Sequence, residues 1–399
     1  MSTIAQNKQG LKVLITGSMM QLFLGIIYVW SVFVIPVSEF YKWNIEHVKF
    51  TASFMLCFFV VGILIGGKLQ TKISASKIVL LGGLMLAAGM LATAFLPVTL
   101  AWLMYITYGV IGGFGVGAAY NTIISAAQKW FPKNRGFAAG VVVCAFGLST
   151  VIFAPLIQVL IGQFDLRNTF IILAIGFLIV TLALFRFIKL PDDSSASAPS
   201  AALLTQKQYT MSEALKTKKF YFITFSLMFV IATFFVLNPS FITLADKRGL
   251  GESIGTALVM LVGIANALGR LGAPLLSDKI GREKATLSII FATIVCALIL
   301  CFAEGVLFMA AIATIAYCFG GVAGIYPVLT ADHFGVKNIG SNYGAVMVGF
   351  ALAALIFPMT IGLIQNDVIK FVVLSLFATT AAVLVILLSF QKKNMDDKI

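Results

Sequence analysis

Acidic side chains are scarce in this chain. There are 15 Asp and Glu among 399 residues, and none lies in the middle of a long apolar run. Charged residues of both signs make up 11%, against about 25% in a soluble domain. Histidine is nearly absent: His47 and His333 sit near run ends, without a partner at metal-ligand spacing. The five cysteines (Cys57, Cys144, Cys296, Cys301, Cys318) all fall in apolar stretches with no CxxC pair, so they read as small packing residues rather than ligands or redox centres. Paired carboxylates, metal clusters and nucleophile motifs are missing from the apolar runs, which argues against an enzyme and implies no cofactor. GVIGGFGVGAAYN (109–121) has Gly-x-Gly spacing, but it lies inside an apolar run rather than between strand and helix, so it is not a nucleotide loop.

What is abundant is apolar surface: 60% hydrophobic residues and a mean hydropathy of +1.03. Twelve runs are long enough to span a membrane, near 12–37, 48–69, 77–97, 100–127, 135–160, 167–190, 219–245, 254–276, 285–303, 305–330, 340–365 and 368–391. A spanning helix needs roughly 20 apolar residues. These runs are too long and too evenly apolar for barrel strands, so the expected fold is an all-α membrane protein. The first run is full length and lacks a small-residue cleavage site, so no removed signal peptide is expected.

The net charge of +13 is no nucleic-acid signature, because the basic residues alternate between loops. With the N-terminus inside, 21 of the 28 Lys and Arg fall in inside segments and six outside, leaving Arg270. That bias places both termini in the cytoplasm. The short loops and the absence of glycosylation sequons fit a multi-pass protein of a bacterial inner membrane.

PDDSSASAPSAALLTQKQYTMSEALKTKK (191–219) is the longest polar stretch. It divides the chain into an N-terminal six-helix bundle (1–190), a cytoplasmic linker (191–218) and a C-terminal bundle (219–399). Its Ser/Ala/Pro-rich first part is expected to be flexible, and MSEALKTKK is expected to form a short helix on the inner surface. The halves look related: KLQTKISASKI (68–78) and LLSDKIGREKA (275–285) align at an offset of 207 residues, which also sets Tyr120 opposite Tyr326, within one residue. Such a parallel repeat predicts two pseudo-symmetric bundles.

Arg270, in TALVMLVGIANALGRLGAPLL (256–276), is the one charge that cannot be set at a membrane edge. A charge at that depth is costly, and the usual reason to keep one is an ion or substrate site. A buried cation implies an anionic visitor. The competing reading is structural: Arg270 stands about 12 Å along a helix from Asp278, so it could snorkel toward the inner surface or pair with a carboxylate there. Gly109, Gly113 and Gly117, at i, i+4 and i+8, form a stripe against which another helix can pack closely. Pro36, Pro155, Pro239, Pro274, Pro327 and Pro358 lie in or near spans and are expected to bend them.

LLSDKIGREK resembles the loop signature of the major facilitator superfamily, through Asp278, Lys279, Gly281, Arg282 and Lys284. The resemblance implies that Asp278, Lys279, Gly281 and Arg282 serve gating, with charges that pair in one conformation and part in another. In the first half Thr71 and Ser74 replace the Asp and Gly, so that copy is degenerate. GIIYVWSVFVIP (25–36), AAYNTIISAAQKWFPKNRGFAAG (118–140) and NALGRLGAPLLSDKIGR (266–282) resemble the oxalate/formate antiporter family and the related monocarboxylate transporters. That likeness implies a two-bundle transporter of small carboxylates. It makes Arg270 the substrate-binding arginine, Asn266 a second donor one turn earlier, and Tyr28, Tyr120 and Tyr326 pocket tyrosines. Asn266 stands where proton-coupled relatives often carry Asp, and it cannot take a proton. The segment YGAVMVGFALAALIFP (343–358) lacks the Lys of oxalate-selective members.

The expectation is therefore a secondary transporter of a monocarboxylate (formate, lactate or pyruvate class), acting as a monomer by exchange or by proton symport. A dicarboxylate exchanger and a multidrug exporter of the same fold are the alternatives. The exporter usually needs a buried acid to attract cations, and none is present in the spans.

Overall fold

The computed structural model describes residues 3–191, 207–238 and 241–396, apart from the side chains of 3–7, 242, 243, 251–257, 259 and 392–396. The Ser/Ala/Pro-rich part of the expected linker (192–206) and Pro239 lie outside the described residues. No strand occurs among the described residues. The main helices are α1 (Thr3–Leu24), α2 (Trp30–Tyr41), α3 (Ile45–Leu69), α4 (Ala75–Ala94), α5 (Gly113–Trp130), α6 (Arg135–Leu184), α7 (Lys218–Leu237), α8 (Gly251–Ile280), α9 (Arg282–Ile299), α10 (Gly305–Phe334), α11 (Ile339–Val346), α12 (Val348–Thr360) and α13 (Asp367–Asp396).

These elements follow from the lack of competing partners in lipid, where a helix satisfies its own backbone. Ten helical segments among the described residues are long and apolar enough to cross a membrane. The longest helix, α6, has 50 residues. At 1.5 Å per residue that is about 75 Å, far more than the ~30 Å hydrocarbon layer. It breaks at Asp165, whose φ is 66° and ψ 175°. The Asp165 carboxylate accepts from the Asn168 backbone N–H at 2.8 Å and so caps the following arm. With α6 divided there and α9 included, the described helical segments are consistent with the twelve apolar runs.

The expected inner-surface helix over 211–219 is broken in two. A short helix, Met211–Ala214, is closed by a capping box between Thr210 and Glu213, and α7 then starts at Lys218 with Thr217 as its N-cap. The physical reason is that Thr217 accepts from the Phe220 N–H, which ends one helix and starts the next.

Glycines set the closest contacts. A Cβ on Gly113 would stand 2.5 Å from the Met55 carbonyl oxygen, and one on Gly117 only 1.9 Å from that of Phe59. The stripe read from sequence is thus the face on which α5 meets α3. Between α8 and α9, Gly281 has φ 93°, a conformation that strains any L side chain. Pro36, Pro155, Pro274, Pro327 and Pro358 all lie inside helices.

The chain divides into two compact units. One comprises Met1–Lys133, Ala145–Gln208 and Val336–Ala345; the other comprises Asn134–Cys144, Tyr209–Gly335 and Val346–Ile399. Each unit thus takes in one short segment from beyond the sequence midpoint or before it.

Candidate functional site

Arg270 lies on α8 in the second unit and is only 2% exposed. Its Nε donates to Asn266 Oδ1 at 2.9 Å, the contact that i, i+4 spacing on one helix face permits. Nη1 reaches the Val143 carbonyl oxygen on α6 at 3.5 Å. Both of these partners are neutral oxygens, and they orient the guanidinium. The carboxylate of Asp278 is not what holds it. Asp278 is paired with Arg282, and it also accepts from the backbone N–H groups of Gly136 at 3.1 Å and Phe137 at 2.8 Å. Asn266 therefore works first as the group that aims Arg270.

The backbone around Arg270 is held by glycines on α10. A Cβ on Gly320 would stand 2.0 Å from the Asn266 carbonyl oxygen, and one on Gly324 2.6 Å from that of Arg270. From α6, Gly140 approaches the Arg270 and Leu271 carbonyl oxygens at 3.2 and 3.4 Å by the same measure. Close backbone approach of this kind is what small residues allow in membrane helices. Sequence reasoning passed over Gly140, Gly320 and Gly324, although the i, i+4 spacing of the last two was visible. Val143 carried no signal, because a backbone carbonyl has no side-chain signature.

Tyr326, on α10 in the same unit, is 1% exposed. Its hydroxyl donates to Ser226 Oγ on α7 at 2.9 Å, a partner that sequence spacing could not suggest. Tyr120 and Tyr28 belong to the first unit. Tyr120 packs on Phe59 and Phe146, with ring centroids 5.2 and 4.7 Å away, and Tyr28 meets Phe146 edge-on at 5.5 Å. The structure thus joins Arg270 with Asn266, and Tyr28 with Tyr120 through Phe146.

At the C-terminal end of α8, Asp278 and Arg282 of the gating candidates belong to an ionic chain within the second unit. Arg282 Nε donates to Asp332 Oδ2 at 3.0 Å, and Arg135 Nη1 donates to Asp332 Oδ1 at 2.9 Å. Asp278 receives Arg282 and the first turn of α6, where the helix dipole also favours a carboxylate. Lys279 is exposed. Beside this chain, His333 Nε2 lies 3.2 Å from Glu283 Oε1. The first unit has hydrogen bonds to backbone carbonyl oxygens instead. Asn121 Nδ2 donates to the carbonyl oxygens of Ile63 at 2.8 Å and Gly340 at 2.7 Å, and Ser341 Oγ donates to that of Gly67 at 3.0 Å.

Residues 15–358 match the sequence profile described as Major Facilitator Superfamily. The chain belongs to the major facilitator superfamily. Among its relatives is the oxalate:formate antiporter of Oxalobacter formigenes, 29% identical over 303 residues, covering 73% of this chain and 69% of that protein. Another is monocarboxylate transporter 12 of Xenopus laevis, 25% identical over 363 residues, covering 83% and 77%. The solved structure of the proton:xylose symporter XylE bound to 6-bromo-6-deoxy-D-glucose superposes with a TM-score of 0.70 at 14% identity, covering 95% of each chain. At that identity the likeness speaks for the fold alone. This superfamily chain is a multi-pass membrane transporter, not an enzyme, and its all-helical architecture is the superfamily's own.

Proposed function

We propose that this transporter carries a small monocarboxylate, of the formate, lactate or pyruvate class, by alternating access. The observation that carries the reading is Arg270: a guanidinium buried in a spanning helix, aimed by the Asn266 amide oxygen and a backbone carbonyl. A guanidinium fork can grip both oxygens of one carboxylate, and in a low-dielectric setting that contact is strong. Asn266 sets the tilt of the fork. Tyr326 in the second unit, and Tyr120 and Tyr28 in the first, are the further candidate contacts to the anion. Asp278, Lys279, Gly281 and Arg282 serve as closing contacts that re-form once in each cycle.

The relatives support the class, since one is named for oxalate and formate and another for monocarboxylates. A single-charge cargo is favoured over oxalate because residues 343–358 hold no Lys or Arg. Exchange is favoured over proton symport, because Asn266 cannot carry a proton and the spans hold no acid in mid-run.

The test is carboxylate uptake into proteoliposomes, with a pH-sensitive dye inside. Wild-type protein is expected to exchange formate, lactate or pyruvate without net proton flux. Arg270→Gln is expected to lose about a hundredfold in binding or more, the scale of removing one partner of a buried charge pair, while remaining folded in the membrane. Undiminished uptake by that variant would end the proposal. A proton entering with each anion would replace exchange by symport.

A further inference from the structure

Gln21, on α1, is 0% exposed. Its side-chain nitrogen Nε2 donates to the Tyr120 carbonyl oxygen on α5 at 3.1 Å. That bond fixes which way the amide faces, because the opposite orientation would set oxygen against oxygen. The amide oxygen Oε1 is the end left over, and it has no hydrogen-bond partner among the described residues. A side chain that only tied α1 to α5 would need the nitrogen alone. The enclosed acceptor is then a pure cost, which an apolar neighbour cannot offset.

The surroundings show what the acceptor serves. Gln21 and Gly25 are one α-helical turn apart. Over Gly25–Val29 the span tightens into a 3-10 helix, in which residues three apart eclipse, so Tyr28 continues the same face. Against that face stand Tyr120 and, from the first arm of α6, Phe146 and Ser149. A Cβ on Gly25 would strike the Phe146 carbonyl oxygen and would stand 2.5 Å from Ser149 Cβ. The Phe146 ring meets both tyrosines, with centroids 5.5 Å from Tyr28 and 4.7 Å from Tyr120. Ser149 is likewise 0% exposed, and its Oγ has no hydrogen-bond partner among the described residues. All of these residues belong to the first unit. Two enclosed polar atoms without partners thus accompany the tyrosine pair.

We propose that Gln21 is a specificity-determining residue: its amide oxygen accepts from a hydroxyl on the carbon next to the cargo's carboxylate. The transporter then favours 2-hydroxy acids over 2-oxo and unsubstituted acids of the same length. This role rests on the carboxylate reading, in which Arg270 takes the charged end; Gln21 reads the substituent. An amide oxygen has lone pairs and no proton, so it repels a carboxylate or a keto oxygen and welcomes an O–H. A 2-ammonium group is also a donor, but a cation taken out of water calls for a carboxylate beside it, and the spans hold no acid in mid-run. A site built around a hydrogen bond to a substrate hydroxyl rejects the analogue that lacks it, because the protein's own polar group is then left unpaired.

The experiment titrates the purified full chain with lactate, propionate and pyruvate by isothermal calorimetry; the three acids differ only at the second carbon. Wild-type protein is expected to bind lactate at least about tenfold more tightly than either of the others, the scale of one neutral hydrogen bond. Gln21→Met removes the acceptor at similar length. It is expected to bring lactate down to the level of propionate and to leave propionate unchanged, a split that a general loss of packing would not produce. Gln21→Asn keeps the amide but withdraws it by one carbon, and it is expected to lose the preference in the same way, which supplies the readout if the methionine variant does not fold. If wild type binds lactate and propionate alike and Arg270→Gln loses both, the hydroxyl is not read: the inference fails while the carboxylate reading stands. A preference for lactate that survives in the Gln21 variants belongs to another group and overturns the role of Gln21. If wild type binds none of the three acids, it is the carboxylate reading that falls, and the role of Gln21 with it.

Discussion

Arg270 illustrates how much one residue type can decide. Its charge and its depth in an apolar run point to an anion before any contact is known, and the structure adds the means of aiming it. Nε is held by Asn266 Oδ1 at 2.9 Å, so the orientation of the fork is fixed by a neighbour on the same helix. Lysine at this position would keep the charge but lose both the planar fork and the Nε contact. Arg270→Lys is therefore expected to retain measurable carboxylate binding, weakened by about ten- to a hundredfold, between wild type and Arg270→Gln. Isothermal titration with formate or lactate measures the order; a lysine variant as inactive as the glutamine variant would mean that geometry, not charge, dominates. Tyr326 gives the opposite lesson. Its sequence position suggests a pocket wall, yet its hydroxyl is engaged by Ser226, one hundred residues away, and no local pattern announces that bond.

At the scale of elements, glycine placement governs what can approach what. The 109–113–117 stripe was legible because its period is that of a helix face, and it does meet α3. The α8–α10 contact was missed because its glycines are divided between two helices: Gly269 on α8 faces the Tyr317 carbonyl oxygen, while Gly320 and Gly324 on α10 face those of Asn266 and Arg270. Gly320→Ala would drive a methyl group against the Asn266 carbonyl oxygen and its side chain. Overpacking of this kind costs about 1–3 kcal/mol. The expected outcome is a lower melting temperature in detergent together with weakened substrate binding, because the strain falls on the residue that aims Arg270. A variant that lost stability but bound substrate normally would separate the α8–α10 contact from the site. The break of α6 at Asp165 belongs to this scale too: the 50-residue helix cannot lie across one bilayer, and the capping carboxylate marks where it divides.

For the molecule as a whole, the repeat-related loop regions of the two units are built from different chemistry. The second unit uses the chain Arg135–Asp332–Arg282–Asp278, and the first uses Asn121, Ser341 and facing glycines. The asymmetry was visible in sequence, where Asp278 and Gly281 are matched by Thr71 and Ser74; the replacement contacts were not. Asp332→Asn leaves Arg135, whose side chain is 7% exposed, without its carboxylate. Breaking a fully buried pair costs about 3–5 kcal/mol; the effect here should be smaller, since Asp332 is itself 26% exposed. Reduced thermal stability and faster proteolysis at the loops that follow α8 and α10 are expected. No change in either would show that the chain of charges contributes nothing to the stability of the second unit.

Hydropathy is local and additive, and in lipid a helix bonds only to itself. For that reason the amino-acid order alone determined the apolar helices and the placing of Arg270 within one of them. Partnerships between distant segments carry no such local mark. That residues 134–144 pack with α8, that Val143 offers its carbonyl to Arg270, and that Asn121 reaches Gly340 across 219 positions were decided only by tertiary packing. Shape and backbone approach choose those partners, and neither is written in any single stretch of chain.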